Sequence, residues 1–210
     1  MRTAVLGSTR GSAFRPLVAA AQRGKLAAPP VLVLSDRPTA PILSFAREHG
    51  IPAEAVPRAG RSREEHDRAL EERLRAHRID LVLLVGYLRL LSPWFTNRWW
   101  GRLVNIHPSL LPRHPGLMDR AVHEAVLAAG DTETGCTLHL ATEEADAGPI
   151  IAREVCPVEP GDTVDSLKDR VQAAEARLLE RFLRDPRPLL AAADVHASAP
   201  EALDPPNGGP

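Results

Sequence analysis

Short β-branched runs alternate with amphipathic stretches along this chain, and that alternation limits the possible folds more than any other feature. Apolar runs at Thr3–Leu6, Val31–Leu34, Leu81–Val85 and Leu103–Ile106 read as strands. The third lies in Ile79-Asp80-Leu81-Val82-Leu83-Leu84-Val85-Gly86 and is apolar on consecutive residues, as a strand covered on both faces must be. Between the runs, Ser12–Arg23, Ala40–His49 and residues 62–77 carry helical periodicity. The last of these opens with Ser62-Arg63-Glu64-Glu65, a capping box in which each end residue satisfies an orphan backbone N–H. Parallel strands need crossover connections, and helices supply them. The expected fold is therefore α/β: a single domain with a mostly parallel twisted sheet, helices on both faces, and a Rossmann-like N-terminal half.

Beyond residue 130 the rhythm changes. Gly135-Cys136-Thr137-Leu138-His139-Leu140 and Ile150-Ile151-Ala152-Arg153-Glu154-Val155 are strand-like runs separated by a short acidic loop, which predicts an antiparallel hairpin. Val164, Leu167, Val171, Ala174, Leu178 and Phe182 then repeat at helical spacing for a last helix, capped by Asp162 or Thr163. From about Asp185 the chain is rich in Pro and Ala and shows little periodicity. Residues 1–187 are read as the domain and 188–210 as a tail, a partly ordered strap running into disorder. Removing that tail is expected to leave folding and activity nearly intact.

Composition narrows the classes of function. A chain of 210 residues with 44% hydrophobic content buries a sizeable core without a disulfide or metal staple. A formal net charge of −1 and 4% aromatics argue against a nucleic-acid platform. No run of eighteen apolar residues is present, so no membrane span is expected. The N-terminus reads as a strand entering a glycine turn rather than a signal peptide. Cys136 and Cys156 have no CxxC partner and suit a reduced, cytoplasmic protein. No histidine stands at metal-ligand spacing from them, so no metal is expected.

Three segments can carry chemistry. Gly7-Ser8-Thr9-Arg10-Gly11-Ser12 joins the first strand to the first helix, where small residues let backbone N–H groups approach an anion. A plain tight turn explains the same glycines. Asn105 and His107 stand two apart at the carboxyl end of a buried strand, so both side chains leave the same face. Ligands bind at that edge in open α/β sheets, and a neutral donor beside an imidazole suits oxyanion support and proton movement. A satisfied structural histidine is the bland reading of the same residue. Glu143, Glu144 and Asp146 mark either a solvated turn or a carboxylate that reaches His107 and favours its imidazolium, and periodicity does not say which. The remaining histidines, His114, His123 and His139 included, read as helical, loop or strand residues without a role.

Taken in order, GSTRGS, SREEHDRAL, VGYLRLLSP, NIHPSLLPRHPG and GCTLHLATEEADAGPII resemble the phosphoribosylglycinamide formyltransferases, a branch of the folate-dependent formyltransferase family. The likeness covers residues 1–185. It implies formyl transfer from 10-formyltetrahydrofolate to the amino group of glycinamide ribonucleotide, in purine biosynthesis. It further implies that Asn105, His107 and Asp146 form the catalytic trio, with no covalent intermediate. Gly11, Ser12 and Ala13 would bind the ribonucleotide phosphate, and Glu175 its ribose. Leu88, Arg89, Leu90 and Leu91, with Asn105, would line the folate slot, and Arg63 would lie near the glutamyl end. The likeness also implies a cis Leu111–Pro112 bond. The implied partners are small molecules, not nucleic acid or membrane, and the implied assembly is a monomer or homodimer.

The sequence departs from the family pattern in places. Ala13 stands where Asn commonly follows Gly-Ser, and Gln172 where a lysine is usual; Glu175 precedes Ala176 instead of His. Two alternatives share the trio: a formyltetrahydrofolate deformylase, which typically carries an extra N-terminal domain, and a catalytically silent ligand-binding paralogue.

Overall fold

The four expected strands lie side by side and parallel in a computed structural model that describes residues 1–195. Along the chain the elements are β1 (Thr3–Leu6), α1 (Phe14–Gln22), β2 (Pro30–Ser35), α2 (Pro41–Glu48), β3 (Ala53–Ala55), α3 (Arg63–Ala76) and β4 (Leu81–Leu84). They continue with α4 (Pro93–Arg98), β5 (Leu103–His107), α5 (Arg120–Ala128), β6 (Glu133–Leu140), β7 (Ile150–Pro157), α6 (Val164–Arg184) and α7 (Pro186–Val195). One seven-stranded sheet runs β3-β2-β1-β4-β5-β6-β7, parallel through β5 and antiparallel at β6 and β7. The hairpin expected after residue 130 thus extends the parallel sheet, and the fold is a single α/β domain.

Alternation along the strands divides the core. On β1, Val5 faces a cluster with Phe14, Leu17, Ile42, Val171 and Phe182, which come from α1, α2 and α6. Its neighbours Ala4 and Leu6 face the other side, against Leu70, Leu74, Phe95 and Trp99 of α3 and the α4 end. The capping box at Ser62 is present with both hydrogen bonds. Of the two caps considered for α6, Thr163 is the one that accepts from the Ser166 N–H, at 3.2 Å. The Leu111–Pro112 bond is cis. Among the described residues, no helix is long and apolar enough to cross a membrane.

Besides α5, which the sequence reading leaves without bounds, three elements escape it. β3 is a three-residue edge strand, and α4 is a short helix begun by Ser92 and Pro93. The third is α7, which occupies part of the segment read as an irregular strap. Pro186 and Pro188 fall in its first turn, where proline is tolerated because those N–H groups have no helical acceptor. Leu190 is buried and Leu189 packs against the main core cluster. The disorder expected for the rest of the tail concerns residues 196–210, outside the described residues.

That packing reverses the expectation for truncation. Replacing Leu189 and Leu190 together by Ala is expected to cost about 2 kcal/mol or more. In a domain of this size that is roughly 4–8 °C in Tm. A thermal melt unchanged within 1–2 °C would show that α7 adds nothing to the core.

Candidate functional site

Chain direction across the sheet decides where the site lies. From β1 the chain steps to β2 and β3 on one side, then returns to β4 on the other, so the loops after β1 and β4 diverge. Ligands bind in the crevice this reversal opens. A cleft of about 520 Å³ lies there, lined by Gly11, Ser12 and Ala13 after β1, Leu88–Leu91 after β4, and Asn105 and His107 of β5. Asp146, Lys168, Gln172 and Glu175 complete its wall.

The trio is assembled by the hairpin. β5 pairs antiparallel with β6 in the register Asn105↔His139 and His107↔Thr137. The loop between β6 and β7 then turns Asp146 back over β5. Asp146 has φ +57°, and Gly148 lets the strands meet: a Cβ there would stand 1.8 Å from the Leu140 carbonyl oxygen. Its Oδ2 lies 3.2 Å from His107 Nδ1 and accepts the Gly116 N–H at 2.8 Å. Its Oδ1 lies 3.5 Å from both Asn105 Nδ2 and His139 Nε2. Burial alone would raise this carboxyl. The His107 ring and the Gly116 N–H outweigh it, so Asp146 stays ionised well below the usual carboxylate range. Glu143 and Glu144 are exposed, so of the three acidic candidates only Asp146 turns inward.

His107 is buried, and its Nε2 donates to the His114 carbonyl at 3.1 Å. With Nδ1 facing Asp146, both ring nitrogens meet acceptors, an arrangement that the doubly protonated ring satisfies. His139 donates from Nδ1 to the Leu140 carbonyl at 2.9 Å and accepts from Asn105 Nδ2 at 3.0 Å. The amide plane of Asn105 is thereby fixed.

At the β1 end, Gly11 has φ +64°, and a Cβ there would stand 2.6 Å from the Ile42 side chain. The Gly11 and Ser12 N–H groups find no acceptor among the described residues. Ala13 is the N-cap of α1 and supplies no side-chain bond. Across the cleft, Lys168, Gln172 and Glu175 share one face of α6, with Lys168 paired to Asp119. Burial pushes the Glu175 carboxyl up to about 8, opposed only by the Lys168 charge. His123 is buried with an unpartnered Nδ1, and burial, then Lys168, push it down to about 4. At the β4 end, Arg63 lies outside the cleft wall. It lines an adjoining hollow of about 240 Å³ with Arg58 and His66, and that hollow shares Leu88, Arg89 and Leu90 with the cleft.

His139, His123, His114 and Lys168 are site residues that sequence reasoning missed. Only strand register, which aligns Asn105 with His139, separates His139 from an ordinary buried histidine. The i, i+4, i+7 spacing of Lys168, Gln172 and Glu175 is a signal that could have found Lys168. Among the described residues there is no cluster suited to a metal ion.

The formyl transferase family model matches residues 1–183. Phosphoribosylglycinamide formyltransferase of Escherichia coli is 39% identical over 176 residues, covering 83% of this chain and 82% of that protein. Trifunctional purine biosynthetic protein adenosine-3 of Drosophila melanogaster is 42% identical over 185 residues. This chain covers only 14% of that longer protein's length, with 87% of its own residues aligned. The crystal structure of glycinamide ribonucleotide transformylase 1 from Symbiobacterium toebii superposes with a TM-score of 0.82 at 38% identity, covering 88% of this chain and 86% of that one.

The raised Glu175 carboxyl has a measurable consequence. Its value is about 8 in the folded protein, against the ordinary 4.5 when unfolded, so the folded state binds more protons between those values. Stability contributed by this proton is full below the lower value and is lost as pH rises toward the upper one. Glu175→Gln lacks the titration, so its Tm relative to wild type is expected to climb steadily from pH 5 to pH 8. A difference that stays flat with pH would mean Glu175 is ionised throughout.

Proposed function

The chain belongs to the formyl transferase family, and on that premise we propose that it transfers a formyl group from 10-formyltetrahydrofolate to the amino group of glycinamide ribonucleotide. The products are N-formylglycinamide ribonucleotide and tetrahydrofolate, in purine biosynthesis. The observation that carries this reading is the Asn105–His107–Asp146 cluster in a cleft that also holds an anion-type loop and an apolar slot. Sequence similarity to the Escherichia coli enzyme over most of both chains supports the same substrates.

The geometry suits direct transfer. The ribonucleotide phosphate sits on the Gly11 and Ser12 N–H groups at the start of α1, where the helix dipole favours negative charge. Glu175, protonated at neutral pH, donates to a ribose hydroxyl. The flat folate ring enters beside Leu88, Leu90 and Leu91, with Arg89 and Arg63 toward its carboxylate tail. The substrate amine attacks the formyl carbon, and the new C–N bond forms as the carbonyl oxygen takes negative charge. Asn105 directs toward that oxygen the N–H whose contact to Asp146 is at the hydrogen-bonding limit, and His107 Nε2–H moves to it from the His114 carbonyl. Asp146 stays ionised and balances the imidazolium. Collapse of the intermediate breaks the bond to N10 of the folate; the amine gives up one proton and N10 gains one, with water as carrier. No enzyme nucleophile is needed.

A spectrophotometric assay with 10-formyl-5,8-dideazafolate, run with and without glycinamide ribonucleotide, tests the reading. Turnover that requires the ribonucleotide supports it. Equal turnover without it would mean water is the acceptor and the protein is a hydrolase. Asp146→Asn is expected to lower kcat about a hundredfold or more, with little change in either KM, because the lost charge matters most in the transition state. Glu143→Gln and Glu144→Gln should remain near wild type. The opposite pattern would remove Asp146 from the mechanism.

A further inference from the structure

Direct transfer needs both substrates in fixed mutual position, yet the phosphate loop and the folate slot sit on different loops. The loop after β1 carries Gly11 and Ser12; the loop after β4 carries Leu88–Leu91. β1 lies between β2 and β4 in the sheet, so the carboxyl ends of all three strands adjoin. There, one buried carboxylate joins the loops. The Ser8 hydroxyl donates to Asp36 Oδ1 at 2.6 Å, and Arg89 Nε donates to Asp36 Oδ2 at 2.8 Å. Ser8 Oγ in turn accepts the Leu88 N–H at 3.0 Å, and the Ser8 N–H donates to the Gly86 carbonyl at 3.0 Å. Leu88 and Arg89 are consecutive, so these bonds close a ring: Leu88, Ser8, Asp36, Arg89 and back. Ser8 and Asp36 are 2% and 7% exposed, so water competes poorly for the bond between them.

We propose that Asp36 is a positioning residue that fixes the ribonucleotide loop and the folate slot relative to each other; the inference rests on the function proposed above. Asp36 does not line the cleft, whereas Ser8 and Arg89 do. It acts through Ser8 on one loop and Arg89 on the other. Both carboxylate oxygens accept, so an amide of the same shape, with one acceptor oxygen, leaves one donor of the ring unsatisfied. An asparagine keeps one acceptor oxygen, and its NH₂ group then faces either the Arg89 N–H or the Ser8 hydroxyl. With Arg89 the contact sets donor against donor; with Ser8 the hydroxyl oxygen accepts from the NH₂ and its own proton loses its acceptor.

Asp36→Asn provides the test, with each substrate's affinity measured alone by calorimetry and turnover measured with both. A displacement near 1 Å between reacting groups costs up to about a hundredfold in rate, so kcat is expected to fall between tenfold and a hundredfold. Each separate affinity is expected to stay within threefold. Adding Asp36→Asn to an Arg89→Ala background should lower kcat much less than adding it to wild type, because the ring is already open. Hydrogen exchange at the Leu88 and Ser8 amides should accelerate together in Asp36→Asn. A kcat within twofold of wild type with unchanged exchange would overturn the proposal. So would equal loss of both affinities alongside a lowered Tm, which marks a purely structural role. Should Asp36→Asn fail to fold, Ser8→Ala opens the same ring from the other side; it must show the same split between turnover and affinity, or the proposal falls. If the wild-type protein transfers no formyl group to the ribonucleotide, the functional reading fails instead. The coupled amide exchange then decides the ring on its own.

Discussion

Asp146 is the interaction on which the site depends. A carboxylate taken out of water is costly unless its oxygens are satisfied, and here every satisfying group comes from a different part of the chain. His107 comes from the end of β5 and the Gly116 N–H from the loop that follows the cis Leu111–Pro112 bond. Withdrawing either one leaves a charge short of partners. The charge thus specifies where the β6–β7 hairpin, the 108–119 loop and the end of β5 meet. Gly148 is the backbone counterpart of this requirement, because no side chain fits where the hairpin strands close behind Asp146.

The sheet then explains why a parallel fold ends in an antiparallel hairpin. The parallel half creates the crevice, since only crossover connections make the loops after β1 and β4 diverge. It cannot by itself bring a carboxylate to β5, because helices carry each parallel connection away from the carboxyl edge. An antiparallel β6 runs back along β5 and sets His139 beside Asn105. The β6–β7 loop leaves from the Leu103 end of β5, where the Ala141 N–H donates to the Leu103 carbonyl, and folds back along the strand to set Asp146 beside His107. Two modes of pairing therefore build one cleft, the first furnishing the loops that line it and the second the Asp146 carboxylate.

The fold was legible because its signal is repeated: four apolar runs and four periodic stretches, each with chain punctuation that agrees. The elements that escaped are those with too few residues to show a period, such as Ala53–Ala55, or with misleading punctuation, as at Pro186 and Pro188. In the site, Asn105 and His107 were legible from strand alternation at a carboxyl edge. Asp146 was not separable from Glu143 and Glu144 by spacing, and only the resemblance to a family singled it out. His139 was invisible for a different reason. Its function is set by register against β5, and a one-residue slip would place it on the opposite face. Ser8 and Asp36 lay in plain sight, but a hydrogen bond between residues 28 apart has no local signature.

Two carboxylates in one cleft reach opposite charge states for reasons the geometry makes plain. Asp146 and Glu175 both pay for burial, but Asp146 has an N–H and the His107 ring to hold its charge, and Glu175 has only the Lys168 charge. The first stays an anion and the second becomes a neutral acid near pH 7, the divergence by which one site runs two kinds of proton chemistry. His123 follows the same rule with the opposite sign, as burial and the Lys168 charge leave its ring neutral. The wall facing the α1 terminus therefore presents no free carboxylate: Glu175 is protonated, and Asp119 is paired with Lys168. A phosphate on the Gly11 and Ser12 amides, as proposed above, would meet little repulsion there even though Ala13 supplies no side-chain donor. The negative charge is kept instead at Asp146, beside the His107 ring.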